Sequence, residues 1–259
     1  VRNVRIVDYG CILCGEAWGI HRECPLFSRM YWSLGGDCRY QDEAGTRPLL
    51  PGRLYFMPQH KRYNMAQRLS DPFFVLWQHI QADGAFVPRF TELEIAPDSP
   101  SGKLLDTIRS ATEAEDFDAQ PAERREFVRR LECLTQALLS LLEEEHGPLF
   151  EPYRERMSGI LADPALESGC RSVEEMASAA GMERSYFSRM FRKQFGVAPQ
   201  QWLTQTRLST AAQRLLEGAA VGEAAEAAGY QDAKAFTRAF GREFGRTPSE
   251  YKKSHNLQP

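Results

Sequence analysis

Residues 172–202, SVEEMASAAGMERSYFSRMFRKQFGVAPQQW, and residues 221–253, VGEAAEAAGYQDAKAFTRAFGREFGRTPSEYKK, are two versions of one pattern. Ala179-Ala180-Gly181 recurs 48 residues later as Ala227-Ala228-Gly229. Beyond that turn the offset is 49: Phe187, Arg189, Phe191, Phe195, Gly196, Pro199 and Trp202 align with Phe236, Arg238, Phe240, Phe244, Gly245, Pro248 and Tyr251. An internal repeat with one inserted residue marks a duplicated supersecondary unit.

Each copy reads as helix, turn, helix. In the first, Ser172 can cap a helix and Glu175, three residues on, completes a capping box. Val173, Met176, Ala177 and Ala180 supply its buried face. Gly181 permits the turn. A second helix is expected from about 184 to 194, stopped by Gly196, with Pro199 opening the next. At about 100° per residue, Phe187, Met190, Phe191 and Phe195 share one side of that second helix. Ser185, Ser188, Arg189 and Arg192 share the other. In the second copy Phe236, Ala239, Phe240 and Phe244 point inward, and Lys234, Thr237, Arg238 and Gly241 point outward.

An apolar anchor with Arg and Ser or Thr on the outer face suits the major groove. Arg can donate two hydrogen bonds to guanine O6 and N7, and a hydroxyl can bond to bases or phosphates. A solvated polar face is the plainer alternative, and Arg at the same place in both copies argues against it. Between the copies, residues 199–217 form a connecting helix ended by Gly218. It buries Trp202, Leu203, Thr206, Ala211, Leu215 and Leu216, and would hold the two reading helices in fixed relation. Successive major grooves lie about 34 Å apart on one face of DNA.

The stretch from Ser172 to Lys253 resembles the DNA-binding domain of the AraC/XylS family. The final segment is the most diagnostic, with aromatic-x-x-x-Phe-x-x-x-Phe-Gly-x-x-Pro-x-x-Tyr nearly intact. With a further helix expected near 153–161, the resemblance covers about the last hundred residues. It implies that one subunit places both reading helices in adjacent major grooves of double-stranded DNA. Ser185, Ser188, Arg189 and Arg192 would lie in one groove, and Lys234, Thr237 and Arg238 in the other. It also implies a homodimer, contact with RNA polymerase and a role as activator or repressor. Two positions depart from the pattern. Ala224 replaces a larger aliphatic residue, and Gly241 replaces a frequent basic one, at about 1 kcal/mol relative to Ala in a helix.

Net charge of −3 does not by itself point to DNA. Residues 150–259 hold 15 Lys and Arg against 13 Asp and Glu, and the rest holds 17 against 22, so any DNA surface is a local patch. No apolar run approaches the roughly 20 residues of a membrane span. Val1 to Tyr9 carries charges with no long apolar core after it, unlike a signal peptide. A cytoplasmic location is expected.

The first hundred residues read as β-rich. Apolar runs at 27–34, 53–57 and 73–80 end at Gly35-Gly36-Asp37, Pro58 and Asp83-Gly84, which suggests a small sandwich or barrel. The breaker cluster Pro97–Gly102 precedes a helix at 103–114. A stronger helix at 121–145 carries Phe127, Leu131, Leu134, Leu138 and Leu141 as a stripe for the chain's own core or a second subunit. His146-Gly147-Pro148 ends it. The expected class is α+β. It comprises a cupin-like β-barrel (1–100), a helical linker with dimerisation helices (101–147) and an all-α domain of two helix-turn-helix units (148–259).

The N-terminal half is similar to the cupin-like effector domains of the same family, through residues 31–36 (YWSLGG) and 50–58 (LPGRLYFMP). That resemblance implies a small-molecule pocket. Alternation puts Arg29, Tyr31 and Ser33 on one face of a strand, and Trp77 and His79 on one face of another. With Tyr55, these are the candidate effector residues. Rings stack and Arg pairs with oxygen, which suits a sugar or an aromatic acid, and a carbohydrate is the first expectation. The same aromatics would also serve as plain core.

Cys11, Cys14, His21 and Cys24 form C-x2-C-x6-H-x2-C, the ligand types of a zinc site. Small cysteines in a short strand are better read as core. His60 stands behind Pro58 where metal-binding cupins carry His, but the His-x-His pattern is absent. No metal or other cofactor is expected. The rival readings are a cupin-type metalloenzyme fused to a DNA-binding domain, and a DNA-bending protein without an effector. With five His and no paired His ligands, Ser/His/Asp arrangement or phosphate loop, a non-enzyme is expected.

Overall fold

The computed structural model describes residues 3–16, 18–23, 27–59, 61–82, 85–115, 121–152, 172–195 and 197–253. The Cys24 and His60 positions, the Asp83-Gly84 turn, Gly196 and the helix expected near 153–161 lie outside them.

Among the described residues ten strands fill the N-terminal part: β1 (Val4–Leu13), β2 (Gly19–Glu23), β3 (Ser28–Gly35), β4 (Cys38–Asp42), β5 (Gly45–Leu49), β6 (Arg53–Met57), β7 (Tyr63–Gln67), β8 (Phe74–Ala82), β9 (Ala85–Phe86) and β10 (Thr91–Glu94). Two helices follow, α1 (Pro100–Glu113) and α2 (Pro121–His146), then a short strand β11 (Glu151–Pro152). The strands form two antiparallel sheets. One runs β10-β6-β3-β8-β9-β11, with β1 also on β8, and the other runs β2-β7-β4-β5.

Among the described residues no strand pairing joins the two sheets, so the expected closed barrel is corrected to two facing sheets. Alternation along a strand says which side chains face inward. It does not say which edges pair, and the five-residue strands of the smaller sheet leave β2 and β5 as edges.

β3 and β8 are buried on both faces because each side has a covering layer. The inner face meets the second sheet in a core of Tyr31, Tyr40, Tyr55, Tyr63, Phe73 and Trp77. Gly10 of β1 pairs with Trp77 of β8, and a Cβ there would stand 2.9 Å from Trp77 Nε1, so only glycine lets the indole lie across β1. The outer face meets α1 and α2. Ser99 caps α1 by accepting from Gly102 N at 3.0 Å, and Pro100 opens it.

The stripe on α2 is spent within the chain. Leu131 and Leu138 are buried in one cluster with Ile6, Tyr9 and Ile80 of the sheet, and the Phe127 ring packs tilted against Tyr9, centroids 5.8 Å apart. Thr135 Oγ1 donates to Gln78 Oε1 at 2.9 Å, and Glu132 accepts the Ile6 amide at 3.0 Å, covering part of the sheet.

The C-terminal part is helical: α3 (Val173–Ala179), α4 (Arg184–Phe195), α5 (Pro199–Leu216), α6 (Val221–Ala227), α7 (Ala233–Phe244) and α8 (Pro248–Lys253). The turns of the two copies match bond for bond. Gly181 and Gly229 have φ of 63° and 75°. Met182 N bonds to Ala177 O and Tyr230 N to Ala225 O, both at 2.9 Å. This is a left-handed helix stop built twice, and it needs glycine.

Leu138 is fully buried, so Leu138→Ala should lower stability by about 2–5 kcal/mol. Denaturant unfolding at several protein concentrations checks this. The same loss at every concentration is expected, and a loss that shrank on dilution would place the stripe between subunits.

Candidate nucleic-acid interface and effector site

Each reading helix is fixed in rotation by a ladder of phenylalanines. On α4, Phe187, Phe191 and Phe195 are buried with ring centroids 5.5 and 4.4 Å apart. On α7, Phe236 and Phe240 are fully buried, with spacings of 5.5 Å to each other and 4.5 Å on to Phe244. Turning these rings inward turns the opposite faces out. Ser185, Arg189 and Arg192 are exposed and Ser188 is half-buried on α4. Lys234 and Arg238 are exposed and Thr237 is half-buried on α7. Among the described residues no hydrogen bond or ion pair engages the Arg189, Arg192, Lys234 or Arg238 head groups. The cations at the matched positions are available to a ligand.

Two hydroxyls are already employed. Thr237 Oγ1 donates to Ala233 O at 2.8 Å, one turn back in its own helix. Ser185 donates its hydroxyl to Glu183. Glu183 is a residue that the repeat comparison passed over. Its carboxylate caps α4, accepting the Ser185 and Tyr186 amides at 2.9 and 3.1 Å. Asp232, the aligned residue of the second copy, caps α7 through the Lys234 and Ala235 amides at 3.0 and 3.1 Å. An acid just before each helix was the available signal. Exposed Tyr186, beside Arg189 on α4, was likewise missed.

The inner face of the N-terminal sheets gathers most of the effector candidates. Arg29 is buried, donating from Nη1 to Tyr63 OH at 2.5 Å and from Nε to His79 Nε2 at 3.3 Å. Its guanidinium lies over the Phe27 and Tyr63 rings, 5.2 and 5.6 Å from their centroids. His79 stacks on Phe27 at 4.5 Å and meets Trp77 at 4.8 Å, with Tyr31 OH 3.5 Å from Nε2. Burial, then the Arg29 and Arg246 guanidiniums, hold the His79 pKa well below its usual value, so the ring is neutral. Accepting at Nε2 leaves its proton on Nδ1, and Nδ1 is buried without a partner. Trp77 Nε1 and the Ser33 hydroxyl are buried in the same condition.

Arg29, Tyr31, Trp77 and His79 are therefore brought together. Tyr55 shares the core, but its hydroxyl accepts the Leu50 amide at 2.6 Å instead. Phe27, Ser33, Tyr40 and Tyr63 complete the set. Ser33 was visible by alternation along its own strand, and Phe27, two residues before Arg29 in the same run, lay open to the same reading; Tyr40 and Tyr63 come from strands whose pairing the sequence does not reveal. Among the described residues no group of three His, Cys, Asp or Glu could hold a metal ion, and no helix is long and apolar enough to cross a membrane.

Residues 176–254 match the family model described as a helix-turn-helix domain. The chain is 26% identical over 235 residues to the probable transcriptional regulator LumQ of Photobacterium leiognathi, covering 89% of this chain and 90% of that one. It is 25% identical over 241 residues to the virulence regulon transcriptional activator VirF of Yersinia enterocolitica, covering 85% and 87%. Over 82 residues, 31% of this chain and 29% of the relative, it is 44% identical to the RCS-specific activator RclR of Escherichia coli K12. The fold matches the fatty-acid-bound ToxT structure from Vibrio cholerae with a TM-score of 0.63 at 10% identity, over 100% of this chain and 99% of that one.

Two capped, arginine-faced helices on a duplicated helix-turn-helix scaffold, carried by a two-sheet domain, define a transcriptional regulator. Its C-terminal part, residues 176–254, is a helix-turn-helix domain, and the relatives it resembles over most of its length are transcriptional regulators.

The Glu183 carboxyl is held below the usual carboxylate range by hydrogen bonds, first from the Ser185 hydroxyl and then from the Ser185 and Tyr186 amides. A lowered folded pKa means that the cap's contribution is complete above the ordinary Glu value of about 4.3 and is lost as pH falls through the folded value. Hydrogen-exchange protection factors of the Ser185 and Tyr186 amides should therefore fall on acidification below that range. In Glu183→Gln they should be lower at neutral pH and show no such step.

Proposed function

We propose that the chain regulates transcription by placing α4 and α7 in successive major grooves of one operator, under the control of a small molecule bound between the two sheets. The DNA assignment is carried by one observation. Among the described residues Arg189 and Arg238 are aligned between the copies, cationic and exposed, and Lys193 and Arg242 repeat the same coincidence one turn further along each helix. Ser188, Arg192, Lys234 and Thr237 flank them, and Ser185 would contribute from its place in the cap.

The effector reading is supported by the buried polar atoms on the facing sides of the two sheets. Three of them lack partners, and all can donate: the Trp77 indole N–H, the His79 imidazole N–H and the Ser33 hydroxyl. A carboxylic acid with an apolar body fits best, because its oxygens only accept and Arg29 can pair with them. The ToxT structures titled as bound to an unsaturated fatty acid and to an arylbutenoic acid are consistent with that chemistry. A carbohydrate is the second reading, favoured by Trp77 and the tyrosines as stacking surfaces. A cupin-like descent for the sheets, activation, RNA polymerase contact and homodimerisation stay in the proposal as family expectations. A dimer would need a surface other than the α2 stripe.

Arg189→Ala should weaken binding to the cognate site by about 1–3 kcal/mol, and binding to random DNA by less. Titration of labelled duplexes at fixed salt measures both. Equal losses on the two would mean that Arg189 touches phosphate or nothing.

Thermal-shift titration of the full chain with aliphatic and aryl carboxylates, and with neutral sugars, tests the effector. An acid at 100 times its Kd stabilises by about 2.7 kcal/mol, and Arg29→Met should abolish the shift. Stabilisation by sugars alone would select the second reading.

A further inference from the structure

The two reading units are mounted differently. In the second, Leu208, Ala211, Leu215 and Leu216 of α5, Phe236 and Phe240 of α7 and Tyr251 of α8 belong to one continuous apolar cluster with Ile6 and Tyr9 of β1 and Val128 of α2. The first unit has its own cluster of Val173, Met176, Phe187, Phe191 and Phe195, closed by Val197 and by Leu203 of α5.

Directed contacts reinforce the seam between the sheet domain and the second unit. Arg246 Nη2 lies 2.5 Å from Asp8 Oδ2, with side-chain exposures of only 14% and 4%. The Tyr251 hydroxyl donates to Val7 O. Arg124 Nη1 of α2 donates to Lys252 O at 2.9 Å, and Lys252 Nζ returns to Gly218 O and Ala219 O at 2.8 Å each. Removing one partner of a buried pair strands the other, which is costly.

β1 is shaped for this. Its register on β8 shifts between Ile6 and Asp8, so Val7 is an extra residue in the ladder. A bulge frees one residue's backbone groups from strand pairing and re-aims its neighbour. Here it presents the Val7 carbonyl to Tyr251 and the Asp8 carboxylate to Arg246. The residue opposite Asp8 on β8 is His79, a member of the inter-sheet polar set. That set and the Asp8–Arg246 pair are thus one cross-strand step apart.

We propose that the bulged segment Val7–Asp8 is a latch that clamps the second DNA-reading unit to the sheet domain and leaves the first unit outside the clamp. A change in the inter-sheet interior would be felt at α7 and α8, and among the described residues its path to α4 runs through α5. The latch rests on the assignment of α7 as a reading helix but not on the identity of any effector.

Hydrogen exchange by mass spectrometry on the full chain tests it. Asp8→Asn and Tyr251→Phe are close to isosteric and keep the fold's shape. Each should speed exchange across 233–253 by about tenfold or more, the factor set by losing a hydrogen bond to a charged or buried partner, while residues 173–195 stay within about twofold. The double variant should add little to either single one, because the two contacts hold the same seam. Unchanged exchange in 233–253, or an equal rise in both units, would overturn the latch. Binding of the unmodified chain to genomic DNA fragments is measured alongside. Its absence would count against the reading assignment, whatever the exchange shows.

Discussion

Burying phenylalanines at four-residue spacing is the constraint from which the DNA-facing surface follows. A ring at every fourth position of α4 and α7 allows one rotation about each helix axis, because any other would expose the ladder. A fully buried aromatic side chain is worth about 1.5–3 kcal/mol relative to exposure, so turning the helix would forfeit several such contributions at once. The arginines are outward because the phenylalanines are inward. The carboxylate caps at Glu183 and Asp232 then fix where each helix begins, and the two glycine stops fix its angle to the helix before it.

These features are local, and so they were legible in the sequence. Turn glycines, the Phe-x-x-x-Phe ladder and the recurrence of Arg189 as Arg238 each act within a dozen residues. The caps were missed because the comparison weighed apolar and basic positions and passed over the acids before them. Ser185 and Thr237 were counted by position alone. Their hydroxyls already donate, to Glu183 and to Ala233 O, and that competition shows only in the structure.

The N-terminal half was legible by face and not by topology. Alternation put Arg29, Tyr31, Trp77 and His79 on the inner faces of their strands, because side-chain direction is set by the strand itself. Closure was not readable, since it depends on which strand edges meet across long sequence distances. The same gap hid Tyr40 and Tyr63, which enter from the facing sheet. It also left the α2 stripe open between two partners. The sheet's outer face, with Tyr9 and Ile80, covers it.

The account's central claim is that one chain reads two successive major grooves. Interference by guanine N7 methylation on a bound genomic fragment tests this most directly, because Arg contacts that atom. Two clusters of interfering guanines should appear, centred about 10–10.5 base pairs apart, with Arg189→Ala erasing one and Arg238→Ala the other. A single cluster, or two that respond together to either substitution, would contradict it.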